Sequence, residues 1–336
     1  MSMIRSEAER RSGRRASETV AIGGDLVVGP IGYGAMQLTG PKVWGEYPDH
    51  DGAIALLREV VAAGVTFIDT ADVYGPHSNE ELIREALHPY ADGLVIATKG
   101  GFVRGGPEYA DLDAVGNRLY LRQAAYMSMR RLRLDHIDLY YLHSPTMTDV
   151  PFEEVIETLA EMRREGLIRH IGLSNVSADQ LRTAMAVTDI AAVTAQYNVA
   201  VRIGADVRRA AEDAGIVFSP WHPGRVPGGE DGEPFHAVID PIAADHDATA
   251  AGRPGLAATS NCPCAADPRH NERPAPQGKP RSCPDQAEPS RGRCHHKARA
   301  RVVVNAWLES SVSERFRATS NDQNRARSVR GSRGDG

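Results

Sequence analysis

Residues 65–75 read VTFIDTADVYG, residues 94–100 read LVIATKG, and residues 137–143 read IDLYYLH. Each begins as a short apolar run. The runs end on Asp69, Lys99 and His143, and Tyr74 lies in the loop just past Asp69. Apolar runs of this length, alternating with segments of helical periodicity, read as parallel strands buried on both faces. In a parallel α/β protein the loops after the strands form the reactive face. An acid, a phenol, an amine and an imidazole therefore converge on one rim, which is the composition of a proton-transfer site.

Outward from these runs the pattern repeats. Residues 19–28 (TVAIGGDLVV) alternate around Gly23-Gly24, a hairpin signal. Strands are expected over 31–36, 65–69, 94–98, 137–142, 168–173, 192–196 and 216–219. Helices are expected over 52–63, 79–87, 119–132, 152–164, 177–185 and 205–214, with Ser78 and Ser177 as caps. Seven β/α units behind a hairpin predict an α/β fold, a (β/α)8 TIM barrel with its last unit unaccounted for. A doubly wound dinucleotide fold would want G-x-G-x-x-G after the first strand. Gly32-Tyr33-Gly34-Ala35-Met36-Gln37 has no third glycine, so that rival is set aside.

The chain of 336 residues divides by composition. Residues 1–250 hold 23 Lys/Arg against 36 Asp/Glu and no cysteine; residues 251–336 hold 16 against 8 and all four cysteines. Three segments are expected: a disordered leader (1–18), a barrel (19–250) and a disordered Pro/Arg-rich tail (251–336). No stretch approaches the roughly 20 apolar residues of a membrane span, and the charged N-terminus lacks a signal peptide's apolar core. A cysteine-free body fits the cytoplasm, the expected compartment.

Taken singly, each rim residue has an ordinary explanation as a cap, a packed ring or a solvated charge. Their placement at three successive strand ends makes the case. A phenol with a pKa near 10 is a weak acid at neutral pH, and a nearby ammonium favours its phenolate. Lys99 is the candidate ammonium, Asp69 its anchor, Tyr74 the proton donor and His143 the group that orients a carbonyl. None of these groups can transfer a hydride, so reduction requires a cofactor. Trp44, Tyr47 and Phe102 fall on loops where they can line a substrate pocket or cover the core.

FIDTADVYG, ATKGG, DLYYLHSPT, GLIRHIGLSN and AQYN, in this order and spacing, resemble the signature segments of the aldo/keto reductases. The resemblance runs over about residues 19–250. Through IGYGAMQLTGP and DVYGPHSNEELIREAL it leans toward bacterial reductases of the pyridoxal reductase (pyridoxine 4-dehydrogenase) type. It implies NADPH-dependent reduction of an aldehyde or ketone, with Asp69, Tyr74, Lys99 and His143 matching the catalytic tetrad. It also implies that Gly34, Met36, Ser174, Asn175, Gln196 and Trp221 hold NADPH/NADP, Trp221 against the nicotinamide. His222 and Gly224 depart from the usual serine and leucine of that loop. A small-molecule carbonyl is the implied partner, with no nucleic acid and no membrane.

After residue 250 the resemblance stops. Cys262, Cys264, Cys283, Cys294, His295 and His296 fit no standard zinc spacing, so no metal is expected. The basic tail lacks the aromatic interleaving of a nucleic-acid arm. A codon choice permitted by Ala251–Ala258, read one base on, spells P-V-A-L-A-W-L. Cys264–Asn271 likewise permits A-L-P-I-P-G-T-T, and Glu272–Lys279 permits S-A-P-H-L-K-E-N. These resemble the family's final helix, last strand and adenosine-phosphate loop, in order and at one offset. The expectation is a single frameshift around Ala248–Gly252, leaving the first and seventh strands unpaired, the chain marginally folded and NADPH weakly bound. The alternative function is a non-catalytic cofactor-binding or interaction protein, a damaged barrel with a basic tail.

Overall fold

In the computed structural model the described residues are 19–225, 227–245 and 304–306. The leader, the proposed shift point and the cysteine/histidine-bearing tail lie outside them. Strands β1 (Val20–Ile22) and β2 (Leu26–Val28) form an antiparallel hairpin with Ile22 opposite Leu26. Its turn uses Gly23 and Gly24 at φ of 61° and 92°, where a side chain is strained. There follow β3 (Ile31–Gly34), α1 (His50–Ala62), β4 (Phe67–Asp69), α2 (Ser78–Leu87), β5 (Val95–Gly100) and a second hairpin of β6 (Phe102–Arg104) and β7 (Leu112–Ala114). The chain continues through α3 (Arg118–Leu132), β8 (Ile137–Leu142), α4 (Phe152–Arg164), β9 (Ile168–Ser174) and α5 (Ala178–Val187). β10 (Ala192–Gln196), α6 (Ala205–Asp213), β11 (Val217–Trp221) and α7 (Glu233–Asp245) complete the series.

The large sheet has the order β11-β10-β9-β8-β5-β4-β3-β12, all pairs parallel, where β12 is Val304–Ala306. This is the expected parallel α/β barrel, nearly closed. One expectation is corrected. The first barrel strand is not left with a bare edge, because β12 places Val304 opposite Ile31 and Ala306 opposite Tyr33, and it also lies alongside β11. An edge of unpaired N–H and C=O groups accepts any extended segment that reaches it, and RVVVNA has the β-branched composition to be extended.

Period-two alternation sorts the side chains. Ile96, Tyr140, Leu142, Ile171, Leu173, Val193 and Phe218 point outward and are buried against the helices. Phe67, Val95, Ala97, Leu139, Tyr141, Ala192 and Val217 point inward, and the β1–β2 hairpin caps them with Val20, Ile22, Leu26 and Val28. Tyr141 fills the barrel over Gly172, where an added Cβ would stand 2.3 Å from its ring. The same alternation carries Asp69, Lys99, His143, Ser174, Gln196 and Trp221 onto the inner face at the strands' C-terminal ends.

Some helix starts carry the side-chain caps that local rules predict. Ser177 and Gln180 form a reciprocal capping box on α5, and Asp49 accepts from Gly52 N on α1 at 3.1 Å. Ser78 is not a cap: it is the first residue of α2, and its hydroxyl donates to Gly45 O at 3.0 Å. The preceding His77, at φ 74°, turns the chain so that Ser78 faces the loop after β3.

Candidate active site

Lys99 is 4 % exposed and sits at the centre of the upper rim. Its ammonium donates to the Asp69 carboxylate, to Thr70 O at 2.8 Å and to the Tyr74 hydroxyl at 3.3 Å. The His143 ring meets that of Tyr74 edge-on at 5.6 Å, and Phe102 packs on the other side of His143 at 4.9 Å. Nδ1 of His143 has no hydrogen-bond partner among the described residues. The three strand ends thus bring all four groups together in space.

Two buried polar clusters fix this geometry from outside the barrel. Glu80 on α2 is fully buried and accepts from Thr98 Oγ1 and from Arg131 Nε, both at 2.6 Å. That clamps α2 and α3 onto β5 one residue before Lys99; charge-assisted bonds of this kind are the stronger class. Asn79 donates to Ala35 O at 2.8 Å and Leu38 O at 2.9 Å and accepts from the Thr70 hydroxyl at 2.6 Å. It ties the loop after β3 to the loop that carries Tyr74.

Burial dominates the proton affinities. It raises the Tyr74 phenol above its ordinary value, even though the Lys99 ammonium pulls in the opposite direction. The expectation that the ammonium lowers the phenol is therefore corrected: for so buried a ring, desolvation of a phenolate outweighs one neighbouring cation. Tyr74 is fully protonated and aimed for donation. For Lys99, burial disfavours the charge, yet the Asp69 carboxylate and Tyr74 hold the ammonium above its ordinary value. Burial first, then the Lys99 charge, pushes His143 well below the usual histidine value, so its imidazole is neutral.

A cavity of about 210 Å³ opens over these groups, lined by Gly34, Met36, Asp69, Tyr74, Lys99, His143, Ser174, Asn175, Thr194, Trp221 and His222. Asn175, at φ 60°, donates from Nδ2 to the Ser174 hydroxyl at 3.0 Å and accepts from the Trp221 indole N–H at 2.9 Å. Of the residues singled out from sequence, Gln196 is not on the cavity wall. It stands opposite Trp221 in the β10–β11 register, and Thr194 one inward step below takes its place. Thr194 was missed, though inward alternation from Gln196 identifies it; His222, noted only for departing from the family's usual serine, also lines the cavity. Tyr47 packs in the outer core with Leu38 and Leu57, and Trp44 lies beside Gly75.

The sequence profile of the aldo/keto reductase family matches residues 30–225, more than half of the chain. The chain belongs to the aldo/keto reductase family. This aldo/keto reductase is 44 % identical over 200 residues to an uncharacterized oxidoreductase of Schizosaccharomyces pombe, covering 60 % of this chain and 64 % of that protein. It is 41 % identical over 207 residues to pyridoxine 4-dehydrogenase of Escherichia coli, covering 60 % and 71 %. Among solved structures, an aldo-keto reductase from Klebsiella pneumoniae in complex with NADPH superposes with a TM-score of 0.57 at 25 % identity, covering 70 % of this chain and 78 % of that one. In each comparison part of the relative's length has no counterpart in the matched part of this aldo/keto reductase.

Proposed function

We propose that the protein reduces a small aldehyde or ketone to an alcohol with NADPH, Tyr74 delivering the proton. The observation that carries this reading is the single cavity in which a protonated phenol is bonded to a Lys99 ammonium that Asp69 anchors, beside a neutral imidazole. The fit to a nicotinamide is chemical. Ser174 and Asn175 supply hydroxyl and amide groups for a carboxamide, and Trp221 supplies a flat ring at the cavity mouth whose indole N–H is already held by Asn175. The Klebsiella pneumoniae relative in complex with NADPH supports that choice of cofactor. When bound, the cofactor supplies the hydride.

The chain's own residues do the rest. A carbonyl oxygen bound between Tyr74 and His143 would accept from the phenol O–H and from a ring N–H, and both hydrogen bonds would strengthen as negative charge gathers there. Tyr74 then donates its proton, and the phenolate left behind is stabilised by Lys99 at the moment it forms. Burial outweighs that ammonium's pull on the neutral phenol, and the same charge favours the phenolate that proton transfer leaves. Asp69 keeps Lys99 charged and aimed.

Identity to pyridoxine 4-dehydrogenase supports pyridoxal-like aldehydes as the substrate class, and the cysteine-free body supports the cytoplasm as the compartment. NADPH oxidation over a panel of pyridoxal and nitrobenzaldehydes tests the reading, with Tyr74→Phe as control. Turnover that survives in Tyr74→Phe removes Tyr74 as the acid, and NADPH binding without turnover favours the non-catalytic alternative.

A further inference from the structure

Arg104, on β6, makes a set of contacts that nothing in the tetrad requires. Its guanidinium donates to Val43 O at 2.9 Å, Lys42 O at 2.7 Å, Pro107 O at 2.7 Å and Gly106 O at 3.0 Å. The rings of Trp44 and Tyr109 lie 5.3 Å and 5.5 Å from its carbon. Lys42 and Val43 are both at φ 59°, a conformation that side chains, and a β-branched one above all, rarely adopt. Such backbone persists only where its surroundings over-determine it, and here the fork of one arginine takes both carbonyls of the strained turn.

That turn leads directly to the acid. The Val43 carbonyl also accepts from Gly75 N at 3.2 Å, and Gly45 N donates to Gly75 O at 2.8 Å, so the turn is laced to the residue after Tyr74. Below it Val43, Ala71, Val73 and Tyr74 form one buried cluster, with Met36 and Phe102 packed against them. Phe102, two residues before Arg104, holds the far side of His143.

We infer that Arg104 is a positioning residue, which holds the loop after β3, the loop carrying Tyr74 and the β6–β7 hairpin in one arrangement and so shapes the carbonyl side of the cavity. The inference rests on the reductase reading for its catalytic half. A lysine at 104 supplies a point charge, but neither the fork for two adjacent carbonyls nor a plane for two rings. Loosening the clasp frees the Gly45 and Gly75 amides and blurs the pocket for the substrate while leaving Ser174, Asn175 and Trp221 untouched.

The test compares the full chain with Arg104→Met and Arg104→Lys by hydrogen exchange, NADPH titration and steady-state kinetics on nitrobenzaldehyde. The Gly45 and Gly75 amides are expected to exchange about ten-fold faster in Arg104→Met and less so in Arg104→Lys. KM for the aldehyde is expected to rise about ten-fold, and by more than Kd for NADPH does. Unchanged exchange in Arg104→Met, or faster exchange with unchanged KM, overturns the proposal. Absence of turnover in the parent chain refutes the reductase reading instead, and exchange alone then decides the clasp.

Discussion

Replacing Lys99 by methionine isolates the energetics on which the site depends. The Asp69 side chain is 6 % exposed, and its ion pair is with the Lys99 ammonium. Methionine keeps most of the lysine stem's volume and removes the charge, leaving Asp69, Thr70 O and the Tyr74 hydroxyl without that donor. Breaking a buried pair from one side costs about 3–5 kcal/mol, because the remaining buried charge loses the opposite charge that faced it. Adding Asp69→Asn removes the remaining charge and is expected to recover about half of the loss. Urea unfolding of the parent, both single variants and the double variant at pH 7 reads these quantities directly. A Lys99→Met deficit below about 1 kcal/mol, or no recovery in the double variant, refutes the picture of a buried ion pair between Asp69 and Lys99.

Further outcomes follow from the same geometry. Tyr74→Phe keeps the ring in its cluster and is expected to lower kcat by about 10²–10⁴-fold, with NADPH affinity unchanged, as measured by initial rates and fluorescence titration. Burial depresses the His143 value in the folded state, so its contribution to stability is present above the ordinary histidine range and is lost as pH falls. A His143→Asn variant is therefore expected to lose less stability than the parent between pH 7 and pH 5.5 in urea melts. Gly172→Ala drives a methyl group into the Tyr141 ring and is expected to cost about 1–3 kcal/mol by thermal or urea unfolding. Finally, if residues after 250 are read one base out of frame, a gene restored from about Ala251 yields a protein that binds NADPH more tightly and melts more cooperatively. Genomic DNA that agrees with the present frame and does not spell ALAWLL in the shifted one ends that proposal.

Several elements were legible without a structure because their causes are local. The apolar runs ending in Asp69, Lys99 and His143 become β4, β5 and β8 within a residue or two, since alternation and run length are properties of neighbouring residues. The Ser177 cap was legible for the same reason, and so was the Gly23-Gly24 turn. Alternation also determined that Asp69, Lys99 and His143 share the inner face, once a parallel barrel was inferred.

What only the tertiary structure decided involves partners far apart in the chain. Ser78 looked like a cap until Gly45, 33 residues away, claimed its hydroxyl. Arg104 has no signal in the local sequence, because the backbone carbonyls of Lys42 and Val43 that it holds lie about 60 residues earlier. The second hairpin, the Glu80–Arg131 clamp and the pairing of Val304–Ala306 with β3 belong to the same class. Even the direction of Tyr74's shift depends on how deeply the fold buries the ring, which no local pattern records. The sequence determined which chemical groups reach the rim, because that follows from the period of a strand. Their proton affinities and the loops that hold them were decided by packing, because burial and long-range hydrogen bonds exist only once the chain is folded.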